Sequence, residues 1–548
     1  MKKKHLILLS ILSGLILTFA WPERGFPGLL FFGLIPLLII ENQIFNNPKN
    51  FRRLSVLYFS YPAFFIWNGL TTWWIYNSTG IGAILAIVLN SLFMAIIFNL
   101  FHFSRKKLKN DFAAYASLIF YWIAFEYLHL NWDLNWPWLN LGNGFGAWYK
   151  WVQWYEYTGA LGGTLWVIVA NILIFFSIRS FLCKDAKITL QYRNSLVVLA
   201  FLWLLLPIMV SYILYSNYKE EIHPVKIVVV QPNIDPFSEL YVVPPKQVVG
   251  KIMDLARPFL DSTTNFLVAP ESAIQEEMWE NEMNTFMSIR LLQAILLEYP
   301  DINILIGGST FRYYSKGEEV SSTARQFTDT KTYYDAFNTA ILFNIHDKLQ
   351  LYHKSKLTPG VEVLPSFRNF KWIEKFAINL GGTVGSLGTD KLRKVYSTVK
   401  TVQVSPAICY ESIFGEFFAK FVRNGAQVMF IITNDGWWGN TAGHRQHFVF
   451  SSLRAIETRR SIARSANTGI SAFINQRGDI LNPTSYWQPA VIKGILNANS
   501  RLTFYVLHGD YIARAAVFLG GLLFFLSILF HFVARKEKCL KKISMIGL

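Results

Sequence analysis

Eight apolar stretches, at about 5–21, 26–41, 54–76, 80–102, 112–130, 163–181, 195–215 and 513–534, come close to the length of a helix that crosses a bilayer. A chain carrying them has few folds open to it, because backbone polar groups in hydrocarbon are satisfied only within helices or closed barrels. The runs are continuously apolar, so a polytopic α-helical membrane domain of about eight transmembrane helices is expected. The first two runs are short and fit tilted or partly re-entrant segments. Composition agrees: 52% of residues are hydrophobic and only 16% charged, against roughly 25% charged in soluble domains. With 548 residues the chain has room for two or three units.

The formal charge of +17 raises the question of nucleic acid, and its location answers it. Lys2, Lys3 and Lys4 precede the first run, and Lys49, Arg52 and Arg53 follow the second. Arg105, Lys106 and Lys107 follow the fourth, Lys184 and Arg193 lie between the sixth and seventh, and Arg535 and Lys536 follow the last. Every second loop is basic, which is a topology signal rather than a nucleic-acid footprint. The basic loops, and with them both termini, are expected on the cytoplasmic side. The first run ends in Phe19-Ala20-Trp21-Pro22 without a small-x-small cleavage site, so it reads as a retained helix. The expected division is a seven-helix membrane domain at 1–219, an extracytoplasmic domain at 220–508, and a last transmembrane helix with a basic cytoplasmic tail at 509–548.

The 220–508 segment alternates short β-branched runs with amphipathic stretches, the pattern of a layered α/β domain. Strands are expected at 225–231, 266–270, 302–306 (ending in Gly307-Gly308), 340–345, 349–353, 401–408, 428–433 and 470–474. Hairpins are expected around Asp347-Lys348 and Arg477-Gly478. Helices are expected at about 275–298, 411–424 and 444–464. The three cysteines, Cys183, Cys409 and Cys539, form neither a disulfide framework nor a zinc spacing. Only Cys409 falls on the outer side.

Glu271, Lys354 and Cys409 each come directly after an expected strand, where α/β sheets tend to place their sites. A thiolate attacks a carbonyl, a carboxylate takes and returns its proton, and an ammonium stabilises the oxyanion. The three residue types thus make a complete acyl-transfer set that needs no metal and no organic cofactor. A helix starting near Glu411 would favour the thiolate. Each residue also has a plain reading: Glu271 as a first-turn helix acid, Lys354 as a solvated loop charge beside Lys356, Cys409 as an inert buried thiol.

The local context matches a family. Val268-Ala269-Pro270-Glu271-Ser272, Tyr352-His353-Lys354-Ser355-Lys356-Leu357-Thr358-Pro359 and Ala407-Ile408-Cys409-Tyr410-Glu411 resemble the three motif blocks of the carbon–nitrogen hydrolase (nitrilase) superfamily, in the family order. Asn434-Asp435-Gly436-Trp437, Arg464-Ser465-Ala466-Asn467-Thr468-Gly469 and the Trp136-Pro137-Trp138-Leu139 loop are similar to its apolipoprotein N-acyltransferase branch. The resemblance implies an αββα sandwich with Glu271 as general base, Lys354 as oxyanion stabiliser and Cys409 as the nucleophile that becomes a thioester. It also implies supporting roles for Glu362, Tyr410 and Glu411, and a place on the rim for Trp437. The implied partners are a phospholipid acyl donor, a diacylglyceryl-apolipoprotein acceptor and membrane lipid, in a bacterial inner membrane with the catalytic domain in the periplasm. A tryptophan expected after the first strand is absent, and Tyr241 is the nearest aromatic. Trp437, Trp438 and Phe414 are candidates either for a lipid path or for the core. The alternatives left open are a membrane-tethered amidase acting on a small soluble substrate, and a transporter or receptor whose outer domain only binds.

Overall fold

The computed structural model describes residues 2–108, 110–182, 189–327, 332–346, 349–359, 361–363, 386–398 and 402–546, with side chains described through residue 536. Cys183, Lys184, Asp347, Lys348 and the side chain of Cys539, all considered above, lie outside these residues. Each apolar run is helical: Lys3–Ala20, Ile35–Asn46, Ser55–Thr72, Gly80–Leu108, Asp111–His129, Ala160–Leu182, Leu190–Asn217 and Tyr511–Ile546. Among the described residues, six spans are long and apolar enough to cross a membrane, at Lys3–Ala20, Pro27–Asn46, Gly80–Leu108, Ala160–Leu182, Leu190–Asn217 and Tyr511–Lys536. The helices Ser55–Thr72 and Asp111–His129 are not among them. They turn polar groups inward instead, such as Asn68 and Glu126. Glu126 accepts from Trp122 Nε1 (3.0 Å), Leu141 N (2.9 Å) and Thr164 Oγ1 (2.6 Å), as a buried carboxylate requires. The second run is broken at Leu34, whose N–H is taken by Asn171 Oδ1 at 2.8 Å. The helix Leu190–Asn217 exposes Leu199, Phe201, Leu202, Leu206 and Met209, a surface suited to lipid.

The remaining segment runs β1 (Pro224–Gln231), β2 (Phe266–Val268), β3 (Ile274–Trp279), β4 (Asn303–Tyr313), β5 (Arg325–Gln326), β6 (Tyr333–Phe343) and β7 (Gln350–His353). It continues with β8 (Val404–Ile408), β9 (Val428–Thr433), β10 (Ser461–Ala466), β11 (Ala472–Ile474), β12 (Ile480–Leu481) and β13 (Ala490–Asn497). One sheet has the order β13-β1-β2-β4-β6-β5, with β3 beside β4 and β7 beside β6; the other has the order β12-β11-β10-β9-β8.

The two-residue period of a strand explains the layering. Ile227, Val229, Phe266, Val268, Leu305, Ala340 and Leu342 face the second sheet, where Phe266 meets Phe430 at 5.1 Å. Their neighbours Val228, Val230, Leu267, Ile304, Ile306 and Ile341 face outward onto the helices Pro245–Ala256 and Met287–Glu298. The helices Gly415–Arg423 and Ala442–Thr458 cover the second sheet, completing an αββα sandwich.

Several expected elements shift. The stretch 275–298 begins as β3, because Ile274 and Met278 pair with Gly308 and Thr310 of β4, and only Met287–Glu298 is helical. Likewise β4 does not stop at Gly307-Gly308 but runs on to Tyr313. The helix expected at 444–464 ends at Thr458, where left-handed Arg459 (φ 49°) turns the chain into β10. The helix Pro245–Ala256 and strand β13 were not expected. β13 pairs with β1 from over 250 residues away, a contact without local signature.

Gly307 is required where it stands. A Cβ there would lie 2.6 Å from Glu271 Cα and 2.8 Å from Pro270 O. Gly307→Ala should lower stability by about 1–3 kcal/mol through overpacking, and acyl transfer more steeply than stability. Thermal unfolding in detergent alongside activity checks this, and equal melting temperatures would contradict it.

Candidate active site

The carboxyl ends of β2, β7 and β8 converge on one cavity of about 710 Å³, lined by Glu271, Asn338, Lys354, Glu362, Cys409 and Asn434. Phe237, Tyr241, Trp437 and Trp438 also line it, as does Ser78 from the membrane portion. Two sheets contribute. Lys354 N donates to Asn338 O at 2.8 Å, extending the β6–β7 ladder and setting these residues side by side. Asn434 N donates across the sandwich to Glu271 Oε2 at 3.0 Å.

Lys354 is fully engaged with carboxylates. Its Nζ lies 3.0 Å from Glu271 Oε1 and 2.8 Å from Glu362 Oε1. Asn338 Nδ2 donates to the same two oxygens, at 2.8 and 3.2 Å. Thr358 N donates to Glu362 Oε2 at 2.9 Å. Burial works against the Lys354 ammonium, but Glu271 and Glu362 more than offset it and hold its pKa well above the usual range. Burial also raises Glu362, yet Lys354 wins and the net shift is downward.

Cys409 opens a short 3₁₀ turn, Cys409–Ile413, in left-handed backbone (φ 49°), and its side chain is half-buried. Such a conformation costs about 1–3 kcal/mol and is tolerated where the surroundings impose it. They do: Ser412 Oγ donates to Cys409 O at 2.7 Å, and His447 Nε2 lies 3.1 Å from the same oxygen. The expected helix near Glu411 is this five-residue turn, the α-helix beginning only at Gly415. Burial and the nearby Glu271 charge push the thiol pKa upward, against the opposing effect of Lys354. A thiol in such surroundings would need a base beside it to act as a nucleophile.

The flanking residues divide. Glu411, though within the motif, ties the walls together rather than facing the cavity. Its Oε1 accepts from Tyr352 OH (2.7 Å) and Ser355 N (2.7 Å), and its Oε2 from Ile408 N (2.8 Å). Tyr410 donates its OH to Asn135 O at 2.9 Å, and Lys356 Nζ donates to Leu130 O at 2.8 Å, both reaching the membrane portion. That separates the two lysines. Phe414 is buried against Tyr410 and away from the cavity, so it belongs to the core. Trp437 meets Phe237 edge-on at 5.2 Å at the cavity wall.

Sequence reasoning missed the residues that hold this set in place. Asn338 carried one signal, an amide in the middle of an apolar strand. Asp435 accepts from Thr433 Oγ1 (2.6 Å) and Arg464 NH2 (2.6 Å), with His447 Nδ1 at 2.9 Å. Donor atoms of Cys409, Asp435 and His447 lie within 4.8 Å of one another, the minimum for a metal. Both Asp435 oxygens are already hydrogen-bonded and a guanidinium sits beside them, so these residues suit a positioning network rather than a cation. His353, next to Lys354, stacks on Phe337 at 3.9 Å, with Nε2 2.7 Å from Glu280 Oε1 and Nδ1 3.3 Å from Asp390 Oδ1.

A Glu–Lys–Cys set at the strand ends of an αββα sandwich, on a chain with membrane-spanning helices, is the arrangement of a membrane enzyme of the nitrilase class. Residues 226–501 match the family model for carbon-nitrogen hydrolase, and residues 13–173 match the apolipoprotein N-acyltransferase N-terminal domain. The apolipoprotein N-acyltransferase of Chlorobaculum tepidum is 27% identical over 532 residues, covering 94% of this chain and 95% of the relative. That of Geobacter metallireducens is 26% identical over 525 residues, covering 93% of each. The apolipoprotein N-acyltransferase 1 of Treponema denticola is 24% identical over 574 residues, covering 97% of this chain and 98% of the relative. The chain belongs to the carbon–nitrogen hydrolase family, in its apolipoprotein N-acyltransferase branch.

Burial opposes charging His353, but Asp390 and Glu280 outweigh it and its pKa is raised. The stabilisation is therefore full below the unfolded value near ~6.5 and is lost as pH rises through the folded value. Thermal stability should fall over that alkaline window in the wild type and be flatter in His353→Gln; parallel pH profiles would contradict it. Lys354→Ala should reduce turnover by about 10²–10³-fold or more. Lys356→Ala should cost less than tenfold, and equal losses would undo the distinction between them.

Proposed function

We propose that Cys409 takes an acyl chain from a membrane phospholipid and passes it to the α-amine of a diacylglyceryl-cysteine at a lipoprotein N-terminus. The observation that carries this reading is a single cavity shared by Cys409, Glu271 and Lys354, by aromatic side chains, and by a residue of the membrane portion. Both substrates are anchored in lipid, so a catalytic centre open to water alone would not reach them.

In the first step Glu271 takes the Sγ proton and the sulfur bonds to the ester carbonyl carbon. The carbonyl π pair moves to oxygen, where the Lys354 ammonium meets it. Collapse breaks the C–O bond, and the lysophospholipid leaves with the proton returned by Glu271. In the second step the amine nitrogen bonds to the thioester carbon, Glu271 accepts a proton from it, and the C–S bond breaks. That proton restores the thiol. The net charge of Glu271, Glu362, Lys354 and Cys409 is the same with the proton on sulfur or on Glu271. The transfer therefore changes no net charge in a buried site. Glu362 and Asn338 keep Lys354 and Glu271 aligned through both steps, while Tyr410 and Glu411 hold the Cys409 turn. Trp437, Trp438 and Tyr241 form apolar wall, which keeps water from the thioester.

In this reading 1–219 and 509–548 anchor the enzyme in the bacterial inner membrane, with about eight spans and both termini cytoplasmic. The 220–508 domain faces the periplasm. The alternation of basic loops supports that orientation.

Incubation of the full-length protein in detergent with phospholipid should add one fatty-acyl mass, removable by hydroxylamine, and Cys409→Ala should gain none. Absence of the increment on folded wild type would favour an amidase with a soluble substrate.

A further inference from the structure

We infer that Asn434 is a further catalytic residue, donating a hydrogen bond from Nδ2 to the acyl oxygen that becomes the oxyanion on Cys409. The inference rests on the reading of Cys409 as the acyl-forming nucleophile and goes beyond the Glu–Lys–Cys set.

The register places Asn434. Strands β8 and β9 are parallel, with Ile408 beside Ile432. Cys409 thus continues beside Thr433, and Asn434 stands one step beyond, just past the end of its own strand. Its backbone N–H is committed to Glu271 Oε2, which anchors the residue to the proton acceptor.

The direction of the side-chain amide is set by its neighbour. Asn467 Nδ2 donates to Asn434 Oδ1 at 3.2 Å and to Ile234 O at 2.7 Å, and Ile234 N donates to Asn467 Oδ1 at 2.9 Å. Asn467 is therefore held in one orientation from both ends. It assigns oxygen to the Asn467 side of Asn434 and Nδ2 to the other. Among the described residues that Nδ2 has no hydrogen-bond partner, and Asn434, only 3% exposed, lines the cavity that holds Cys409. An unpartnered buried donor costs about 1–3 kcal/mol, and a group retained at that cost beside a nucleophile has a use when an acceptor arrives.

The acceptor that the reaction creates there is the acyl oxygen. Sulfur attack moves the carbonyl π pair onto oxygen, and collapse returns it. Lys354 already shares its ammonium between Glu271 and Glu362, so a second, neutral donor is complementary to it. A neutral donor also leaves the charge of the cluster unchanged.

The test compares two reactions of Cys409 in the full-length, detergent-solubilised protein. Acylation by a p-nitrophenyl acyl ester passes through an oxyanion; alkylation by iodoacetamide does not. Asn434→Ala is expected to slow acylation by about 10²-fold, in the range found for removing one oxyanion donor. It should leave KM within a few-fold and the alkylation rate within about twofold, and Asn434→Ser, which restores a hydroxyl donor, should recover part of the loss. Parallel losses in acylation and alkylation, in whichever variant folds as judged by thermal unfolding, would overturn the inference in favour of a structural role. Unchanged acylation would overturn it as well. Failure of wild-type Cys409 to acquire the acyl mass from the ester would instead sink the nucleophile reading on which it rests.

Discussion

One ammonium buried between two carboxylates organises this enzyme. Lys354, held at about 3 Å from both Glu271 and Glu362, cannot be removed without leaving like charges facing each other in a dry cavity. The three side chains come from the ends of β2 and β7 and from the turn that follows β7. Their meeting fixes how those segments stack; Asn338 of β6 binds both carboxylates, and Asn434, just past β9, binds Glu271. The catalytic geometry and the sandwich geometry are therefore one constraint. It also explains why Cys409 can sit in surroundings that disfavour its thiolate. Glu271, the carboxylate that shares the cavity with it, is itself paired with Lys354.

A second set of contacts sets this domain on the helices. Trp74, Trp138 and Trp438 pack mutually at 4.8–5.5 Å, and Trp138 Nε1 donates to Gln446 Oε1 at 2.6 Å. Asn77 Nδ2 donates to Trp438 O at 2.8 Å, and Tyr410 and Lys356 reach Asn135 O and Leu130 O. These bonds start within one or two residues of Lys354, Cys409 and the cavity-lining Trp437. An aromatic joint with few charged partners loses little on moving between water and lipid headgroups. The turn that carries Cys409 is thereby tied to the helical portion by direct contacts.

Much of this was legible in the chain as written. Apolar length and alternating basic loops report the membrane segments, because hydrocarbon thickness is a fixed ruler. Short β-branched runs report the strands, and Glu271, Lys354 and Cys409 stand where strand ends place reactive groups. Legibility failed where a distant partner decided the outcome. The run Ile274–Trp279 has the composition of a helix start and is a strand only because β4 lies open beside it. The helix expected to start near Glu411 starts only at Gly415, after a five-residue turn, because Glu411 is held by Tyr352, Ser355 and Ile408.

The sequence by itself determined that the chain carries membrane helices, that an α/β domain sits between the seventh and eighth apolar runs, and that Glu271, Lys354 and Cys409 each follow a strand. These follow from periodicity, length and local motif, all of which act over a few residues. Only the tertiary structure decided that Glu271 and Glu362 share Lys354 while Asn338 donates to both, that His353 is held between Glu280 and Asp390, and that Asn434 at the cavity wall keeps a donor unpartnered among the described residues. Those facts depend on electrostatics and hydrogen bonding at about 3 Å between residues up to 163 positions apart, and no local pattern encodes such distances.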